Sequence, residues 1–456
     1  MKIQNLVLFA LLILGLTFTA CDDETPTDPV DNTSTLYEEE TITNDCDDDG
    51  TEEDYIIINV TDRGEGTGTT TWTKDKTYVL HGRVFVNDGQ VLTIEAGTII
   101  KGSAGQAENA SALIVARGGQ VKAEGTANEP IIMTSEADEI ARSSNGTLNC
   151  EGGNLAPNFR GLWGGFIVLG KAGTNAPQAE LAIEGIPTTE SRGLYGGVDD
   201  ADNSGTIRYV SIRHGGSNIG ANNEINGLTL GGVGNGTTIE YVEVIANKDD
   251  GVEFFGGTVN TKYISIAYCG DDSFDADEGY RGMNQFWYVV QDDEGDNGAE
   301  LDGGPSDCLL CEPYSAFVTY NATFVGNGSN RAVRIRENSA ASFYNSIFTN
   351  YGKGLEIKDD ESLAQFNDGR LVLENNVLWN VASPFTEKAA DVEAALLAAG
   401  NTTDQDPALD ANNVPTVLVG TVSTPADPFF EVTDYKGAFT PGQTPWTEGW
   451  TLISKL

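Results

Sequence analysis

Alternating apolar and polar positions recur along most of the chain beyond Thr70, in short runs that end at a glycine turn. Residues 92–102 read LTIEAGTIIKG and residues 113–122 read LIVARGGQVK, so Gly97 matches Gly118 at an offset of 21 residues. Alternation with period 2 predicts strands with one buried face, and a longer period near 21 residues is typical of stacked coils in a solenoid.

Similar units recur at residues 207–212, 239–244, 263–266, 320–324, 344–348 and 377–379. They predict an all-β fold, a right-handed parallel β-helix over residues 63–385, because each coil can bury its alternating side chains inside a tube. A sandwich of antiparallel strands is the competing fold, but it predicts no fixed offset. Asn321, Asn345 and Asn375 precede successive units, and we expect them to form an interior ladder of amides bonded to the next coil.

The end of the repeat is marked by residues 386–400, TEKAADVEAALLAAG, which predict a short helix with a Thr386 cap and a terminal Gly400. The remaining residues are rich in Pro, Gly and aromatics, and we expect them to lie against the tube. Because the open end of a β-helix exposes unpaired strand groups, residues 386–456 are predicted to be a capping helix and tail.

The N-terminus has the pattern of an export signal over residues 1–20, whose apolar run at 6–16 is too short to span a membrane. Residues 18–21, FTAC, resemble a bacterial lipoprotein cleavage box, in which Cys21 would be lipidated and become the mature N-terminus. An ordinary secretory signal is the alternative. Residues 22–24, DDE, are similar to surface-export tags of Bacteroidota lipoproteins, so the predicted location is the cell surface, anchored to the outer membrane.

Residues 21–62 are predicted to be an acidic tether, since no Lys or Arg occurs between Asp22 and Asp62. Residues 45–50, DCDDDG, fit the opening D-x-D-x-D-G of a calcium loop. The twelfth position is Ile56 rather than Glu, which argues against an EF-hand and leaves a looser calcium turn as an alternative.

The net charge of −43 excludes nucleic acid as a partner, because a field of that sign repels phosphates. His81 and His214, the two histidines, are far apart in sequence, which argues against a multi-histidine metal site.

Acidic residues recur at the coil period between residues 247 and 304. Two columns are predicted, with members separated by 22 and 21 residues: Asp249-Asp250, Asp271-Asp272 and Asp292-Asp293 in one, and Glu253, Asp275 and Asp296 in the other. In a β-helix such residues would lie about 4.8 Å apart. Two carboxylates at that distance repel by about 3 kcal/mol at an effective dielectric constant near 20.

These columns therefore need cations, hydrogen bonds or protons. Oxygen ligands without histidine favour Ca²⁺ over Zn²⁺, so the eight aspartates of the two columns are candidate calcium ligands. The alternative is that they lie in solvated turns and bind no ion.

Residues 249–260, 270–275 and 278–282 resemble a family of β-helix outer-membrane lipoproteins found in Bacteroidota and spirochaetes. Similar matches lie at residues 163–165, 334–337, 435–439 and 446–451. The resemblance implies a pectin-lyase-like fold and no settled activity. Some members are associated with TonB-dependent uptake, which implies a binding or accessory role, with an outer-membrane transporter or a glycan ligand as partner.

A second resemblance favours an enzyme. Residues 247–251, NKDDG, and 270–272, GDD, are similar to carboxylate motifs of polygalacturonase-type glycosidases, and Arg334-Ile335-Arg336 follows in the same order. In that case Asp250, Asp271 and Asp272 would supply the acid and base of an inverting hydrolysis. The Gly-His-Gly motif of those enzymes and the Arg-x-Pro-x-x-Arg pattern of pectate lyases are missing, so binding is the leading hypothesis and a hydrolase or lyase is the alternative.

Five cysteines remain after Cys21, an odd number for an oxidising compartment. Cys308 and Cys311 can close a small disulfide loop, and Cys46 with Cys150 is a possible second bridge. Cys269 would then be a buried, unpaired residue.

Overall fold

The computed structural model describes residues 34–45, 50–150, 153–220, 223–305 and 308–456. A single 26-stranded sheet coils around one apolar core, and all but one of its strand pairings are parallel. This arrangement confirms the predicted all-β parallel β-helix. None of the helices in the described ranges is long and apolar enough to cross a bilayer.

Three faces make up each coil, and strands of successive coils pair within a face. The first face consists of Thr70–Trp72, Val91–Ile94, Gln120–Glu124, Val318–Tyr320, Ser342–Tyr344 and Leu373–Glu374. Four long strands bend from the first face into the second: Gly205–Arg213, Thr238–Ile245, Asn260–Ala267 and Met283–Val290.

The second face is completed by Glu53–Thr61, Lys76–Leu80, Ile99–Gly102, Ile131–Ser135 and Thr323–Val325. Two strands, Ile347–Ile357 and Val377–Glu387, bend from the second face into the third. The third face contains Arg83–Val86, Ala112–Val115, Phe166–Leu169, Leu228–Gly231, Val252–Phe255, Phe274–Asp277, Asn297–Asp302 and Arg331–Arg336.

Short elements decorate this tube. Two-stranded hairpins pair Ala141–Arg142 with Leu148–Asn149, Leu181–Ala182 with Leu194–Tyr195, and Asn218–Gly220 with Asn223–Glu224. The α-helices are Asp360–Asn367, Lys388–Asp391 and Glu393–Ala398, and the 3₁₀ turns are Ala107–Asn109, Ser191–Gly193 and Ile453–Lys455.

Alternation along each strand builds the core. On the third face Val252 and Phe254 point inward and are at most 2% exposed, whereas Glu253 between them points to the outside of the tube. In the next coil Phe274 pairs with Val252 and stacks on Trp287 with ring centroids 3.7 Å apart. Like residues therefore stack on like residues, which stabilises the tube through apolar burial.

The register of the first coils differs from the expected offset of 21. Leu92 pairs with Val121 rather than with Leu113, and Leu113 pairs instead with Val84. The two similar stretches at 92–102 and 113–122 are strand-turn-strand units that lie on different pairs of faces. Their likeness reflects the shared turn, and it is not the spacing of one coil.

The predicted amide ladder is displaced by one residue. Asn321, Asn345 and Asn375 occupy the corner between the first and second faces with positive φ, and their side-chain nitrogens bond the C-terminal tail instead of the next coil. The interior ladder contains Asn376, whose Oδ1 accepts from Ser346 N at 2.9 Å, and Asn401, whose Oδ1 accepts from Asn376 N at 2.9 Å.

The stretch predicted as a tether contains structure. Leu36–Asn44 and Glu53–Thr61 form an antiparallel hairpin, and the second strand pairs in parallel with Lys76–Leu80. Tyr55 and Val60 on that strand are buried, so part of this acidic segment has enough apolar surface to join the end of the tube.

The C-terminal helix begins later than predicted. Thr386 is still in a strand, and Glu387 precedes the helix Lys388–Asp391 with no side-chain cap. After the helices, Leu378 N bonds Thr402 O, which covers part of the last coil.

The tail then runs back along the side of the tube instead of closing its end. Trp450 and Trp446 pack edge-on against a stack of Tyr209, Tyr241 and Tyr263, whose successive ring centroids are 4.4 and 4.3 Å apart. The backbone amides of Leu452 and Ile453 bond the buried Glu243, far from the last coil.

Candidate functional site

The candidate aspartates lie at the corner where the chain turns from the second face into the third. Asp249 and Asp250 follow the strand Thr238–Ile245, and Asp271 and Asp272 occupy the same corner one coil later. Glu253 and Asp275 pair directly on the third face. The predicted 22-residue offset is therefore the true coil spacing at this point.

Backbone hydrogen bonds hold the two inner aspartates of the corner. Asp250 Oδ1 accepts from Asp272 N at 2.9 Å, and Asp272 Oδ1 accepts from Asn297 N at 2.7 Å. Asp250 and Asp272 are 7% and 5% exposed. One oxygen of each carboxylate thus connects adjacent coils, which leaves the second oxygen for another partner.

Three groups of carboxylates have ligand atoms that all lie within 4.8 Å of one another. We name Asp250, Glu253 and Asp275 the inner cluster. The two corner clusters are Asp249, Asp250 and Asp271, and Asp271, Asp272 and Asp296. Asp250 joins the inner cluster to the corner, and Asp271 joins the two corner clusters.

Asp292 and Asp293 do not belong to these groups, contrary to the sequence prediction. The coil from Asp275 to its partner Glu300 has 25 residues, so Glu300 continues the column of Glu253 and Asp275, and the prediction of Asp296 as its third member is wrong. Asp296 instead lies beside Asp271, whose carbonyl oxygen accepts from Asp296 N at 3.0 Å. Asp292 forms an ion pair with Arg160 at 2.5 Å, while Asp293 is exposed. The longer turn displaces both residues from the column.

Two further residues of the site are not apparent from the acidic motifs. Asn226, only 1% exposed, donates from Nδ2 to Glu253 Oε2. Glu184 comes from the insert that carries the hairpin of Leu181–Ala182 and Leu194–Tyr195, and it also bonds Asn226 and faces Glu253 and Asp249. Only the strand register identifies Asn226 as part of the site, because it places this residue in the coil before Asp250.

Burial and mutual repulsion make these carboxyl groups unusually hard to ionise. Burial, followed by repulsion from Asp275, raises the pKa values of Asp250 and Glu253 well above the ordinary range. The pKa of Asp272 is raised by burial and by Glu300, and that of Asp275 by burial and by Asp272. Burial together with Glu184 and Asp271 raises the pKa of Asp249 to about 7. Such shifts arise where no cation compensates the charge.

No lysine or arginine among the described residues forms an ion pair with a carboxylate of the inner or corner clusters. Two enclosed oxygens, Asn226 Oδ1 and Asp275 Oδ1, have no hydrogen-bond partner. Asp275 is partly exposed as a residue, although its Oδ1 atom is enclosed. Unpartnered buried oxygens are costly and indicate a missing donor or ion.

On the third face, one row of outward-pointing residues that pair with one another in the sheet register changes from apolar to charged along the tube. We name this the outward row: Ile114, Ile167, Thr229, Glu253, Asp275, Glu300, Arg334 and Glu356. Its first members are apolar and pack under the insert, against Ile183 and Tyr195. Its last members are ion-paired, with Arg334 at 3.0 Å from Glu300 and 3.1 Å from Glu356.

A cavity elsewhere on the tube is separate from the acidic site. It has a volume of about 530 Å³ and is lined by Arg117, Lys171, Arg192, Glu180 and Asp199, among others. It contains no carboxylate of the inner or corner clusters. The acidic site combines the buried Asp250 and Asp272 with the exposed Asp271, at which it is open to solvent.

The remaining predicted residues have mixed outcomes. Cys308 and Cys311 form the expected disulfide, with Cα atoms 5.3 Å apart. Cys269 is free and buried, and Cys150 is disulfide-bonded, although Cys46 lies outside the described residues. Gly50 N bonds Asp45 Oδ2 at 2.9 Å in the loop with the D-x-D-x-D-G pattern, whose other aspartates lie outside the described ranges, as does Cys21.

Comparison with known proteins adds the family. No curated protein and no solved structure matches the chain. A family model described as a pectate-lyase-like β-helix domain matches residues 64–451, which cover the tube from Thr70 onward, the C-terminal helices and nearly all of the tail. The chain therefore belongs to the family of pectate-lyase-like β-helix domains.

Proposed function

We propose that this protein is a surface-anchored outer-membrane lipoprotein whose β-helix is a binding platform stiffened by Ca²⁺. The observation that carries the calcium part is the set of carboxylate oxygens that lie within 4.8 Å of one another with no ion-pair partner from the described residues. Without a cation, these groups must repel one another or hold protons.

Calcium is the cation that fits this donor set best. The clusters offer carboxylate and amide oxygens on an irregular corner, and Ca²⁺ takes six to eight oxygen ligands in flexible geometry. Neither His81 nor His214 belongs to any of the three clusters, and oxygen ligands alone favour Ca²⁺ over Zn²⁺. The corner clusters include the exposed Asp271 and Asp296, where a bound ion could also reach a ligand from solvent.

Thermal unfolding of the mature protein with Ca²⁺ and with chelator tests the ion. A ligand that binds only the folded state adds about 2.7 kcal/mol of stability at 100 times its dissociation constant. We expect the midpoint to rise with Ca²⁺ and to return with chelator. Identical midpoints under both conditions would refute the calcium site and leave solvated turns as the explanation.

The anchoring part of the proposal depends on Cys21. Replacing Cys21 with Ser should release the protein from the membrane fraction, because the acylated cysteine carries the attachment. Retention of the variant in the outer-membrane pellet after a salt wash would contradict it. Protease treatment of intact cells, with a periplasmic protein as the control, tests display at the surface.

The ligand of the platform is proposed to be a glycan, with an outer-membrane transporter as the accessory partner. The family fold supports a glycan, since a long outward face of parallel strands suits an extended chain, and the likeness of residues 249–260 to outer-membrane lipoproteins supports the transporter. Affinity capture of the lipidated protein from outer membranes, compared with Cys21→Ser, tests that partner. Recovery of the same proteins with both forms would contradict a membrane-dependent complex.

A polysaccharide hydrolase or lyase is the second candidate, and one observation favours it. Asp249, with a pKa of about 7, lies beside the exposed Asp271, so one carboxyl group could donate a proton while its neighbour is ionised. Against the inverting reaction, the cluster oxygens lie within 4.8 Å, whereas an inverting pair needs about 6.5–9.5 Å to admit water. Asp250 and Asp272 are also buried and bonded to the next coil.

A screen of acidic polysaccharides for new reducing or unsaturated ends separates the two candidates. Cleavage by the wild type that is lost in both Asp271→Asn and Asp272→Asn would replace the binding hypothesis with an enzyme. We expect no new ends, because an enclosed cation site binds without cutting.

A further inference from the structure

A second cavity lies where the C-terminal tail packs against the second face of the tube. It has a volume of about 250 Å³. The tube contributes Tyr268, Tyr288 and Val290 to its lining, and the tail contributes residues from two stretches, 411–413 and 445–456. Pockets that enclose drug-sized ligands usually have volumes of about 300 Å³ or more. A cavity of this size therefore suits one small unit of a larger ligand.

Both stretches of the tail are fixed to the tube by hydrogen bonds. Asn413 Nδ2 donates to Tyr288 Oη at 2.8 Å. The backbone amides of Leu452 and Ile453 donate to the buried carboxylate of Glu243 at 2.8 and 2.9 Å. The walls of the cavity are thus held in place by contacts with the tube, and a preformed site loses less conformational freedom when it binds a ligand.

Several polar groups of this cavity lack a protein partner. Within the described ranges, the hydroxyl groups of Tyr268 and Thr447 and the amide oxygen of Asn413 form no hydrogen bond with another residue. Thr447 is only 4% exposed, and Tyr288, whose hydroxyl also lies here, is only 5% exposed. Because enclosed polar groups usually have partners, a small set of them that converges on one cavity indicates a binding site for a polar ligand.

The chemistry of the lining favours an uncharged sugar. Hydroxyl groups both donate and accept hydrogen bonds, and amide and carboxylate oxygens accept them, so together they match the hydroxyls of a hexose. The rings of Tyr268 and Tyr288 supply apolar surface for the C–H groups of the sugar ring. Among the described residues that line the cavity, Glu448 is the charged one, and neither Lys nor Arg accompanies it. That carboxylate and the net charge of −43 disfavour an acidic sugar.

We propose that this cavity binds one neutral hexose unit of a glycan, with Thr447, Asn413 and Glu448 bonding its hydroxyls and Tyr268 packing against its ring. The inference rests on the proposed function in taking a glycan as the ligand of the platform. It adds the place of binding and the class of sugar. No carboxylate of the inner or corner clusters lines this cavity, so the site needs no ion.

Calorimetric titration of the purified full-length protein with defined oligosaccharides tests the site. The neutral probes are oligosaccharides of glucose, of mannose and of galactose, and the acidic probes are oligosaccharides of galacturonate and of glucuronate. We expect a neutral probe to bind and every acidic probe to bind more weakly than it does, because the cavity offers a carboxylate and no cation.

Variants of the lining then locate the binding. Tyr268→Ala should weaken the affinity about tenfold, because it removes the ring that packs against the sugar. Thr447→Val should weaken it about fivefold, because it removes one hydroxyl at nearly constant volume. Thr444→Val is the matched control: Thr444 is an exposed threonine of the same tail that does not line the cavity, and this variant should bind as the wild type does. If Tyr268→Ala fails to fold, Tyr268→Phe replaces it, since it keeps the ring and lacks the hydroxyl, and its affinity should fall about fivefold.

The failures of the two proposals are distinguishable. If no probe of either kind binds, both the glycan part of the proposed function and this inference are refuted. If a glycan binds the wild type, the Tyr268 variant and Thr447→Val with equal affinity, the inference alone is refuted and the platform keeps a glycan ligand at another place. Preference for the acidic probes over the neutral ones would also overturn the inference, because this lining cannot compensate their charge.

Discussion

Glu253 and Glu356 occupy equivalent places in the outward row, and both are nearly inaccessible to water, at 8% and 1% exposure. Glu356 lies 3.3 Å from Arg331 Nε and 3.1 Å from Arg334 Nε. Glu253 has Asp275 as its neighbour in the row and no ion-pair partner among the described residues. The same backbone position therefore carries a compensated charge in one region and an uncompensated charge in the other.

The difference between Glu253 and Glu356 shows that the tube compensates buried charge in two ways. A buried carboxylate that has arginine partners can remain ionised, and removing a partner costs several kcal/mol. A buried carboxylate beside another carboxylate needs a proton or an external cation. The acidic coils thus acquire a dependence on pH and on metal ions that the arginine-containing coils do not need.

The largest expected effect comes from breaking the compensated region. Arg334→Met should lower the free energy of unfolding by about 3 kcal/mol, because it takes an ion-pair partner from Glu356, whose side chain is only 1% exposed. Denaturant unfolding measures the loss, and Arg208→Met, which affects an exposed pair with Glu240, is the control. Recovery of the loss by added Ca²⁺ would contradict the distinction between the two regions.

A pH titration without Ca²⁺ should reveal the uncompensated region. The pKa of Asp249 is raised to about 7 and that of Asp277 to about 6, in both cases chiefly by burial, whereas unfolded Asp titrates near 4. The folded protein then binds more protons than the unfolded chain between those values, so stability falls as pH rises through this window.

We expect the free energy of unfolding to fall by about 2 kcal/mol between pH 5 and pH 7. Each group would contribute about 1.4 kcal/mol per pH unit if it were fully buried, and the expected fall is smaller because both side chains are partly exposed. Saturating Ca²⁺ should flatten the profile because it competes with the protons. A calcium-free profile that is level or rises over this range would contradict the account.

The sequence alone could predict this region only in part. The period places Glu253 and Asp275 correctly because the coil between them has no insertion, so their 22-residue offset equals the pairing register. It places Asp292 and Asp293 wrongly because the next coil is longer, and a 21-residue offset there falls in a surface turn. The period of the sequence predicts the fold, but one longer turn changes which residues lie in the same column.

Contacts between distant segments were also out of reach of the sequence. Glu184 reaches the site from an insert with no repeat signal, and Asn226 lies in an earlier coil that lacks the acidic motif. Likewise, the asparagines at 321, 345 and 375 repeat in sequence, but the tail competes for their side chains. A repeat identifies equivalent positions, and the partner of each position depends on what packs beside it.

Transferring the compensated pattern to the acidic coils would sharpen the comparison. Asp275→Arg converts Glu253–Asp275–Glu300 into the alternation seen in Glu300–Arg334–Glu356. The calcium-free variant should be more stable than the wild type by about 1–2 kcal/mol, since repulsion becomes attraction. Asp275→Asn, which removes the charge without adding a cation, should give a smaller gain. If Asp275→Arg were less stable than the wild type while Asp275→Asn were more stable, the loss in the Arg variant would come from side-chain packing and not from charge.

The smallest effect is expected at the boundary between the two regions. Glu300 pairs with Asp275 in the sheet on one side, and on the other its carboxylate is 3.0 Å from Arg334 and 2.7 Å from Arg336. Glu300→Gln removes repulsion with the acidic neighbour and also removes two ion pairs whose arginines are partly exposed, each worth about 0.2–1 kcal/mol. Because the two contributions oppose each other, the free energy of unfolding should change by less than about 1 kcal/mol. Parallel denaturant titrations with Ca²⁺ and with chelator measure this change. A decrease in the free energy of unfolding of more than about 2 kcal/mol would assign Glu300 to the compensated region. An increase of that size in chelator would extend the uncompensated region by one coil.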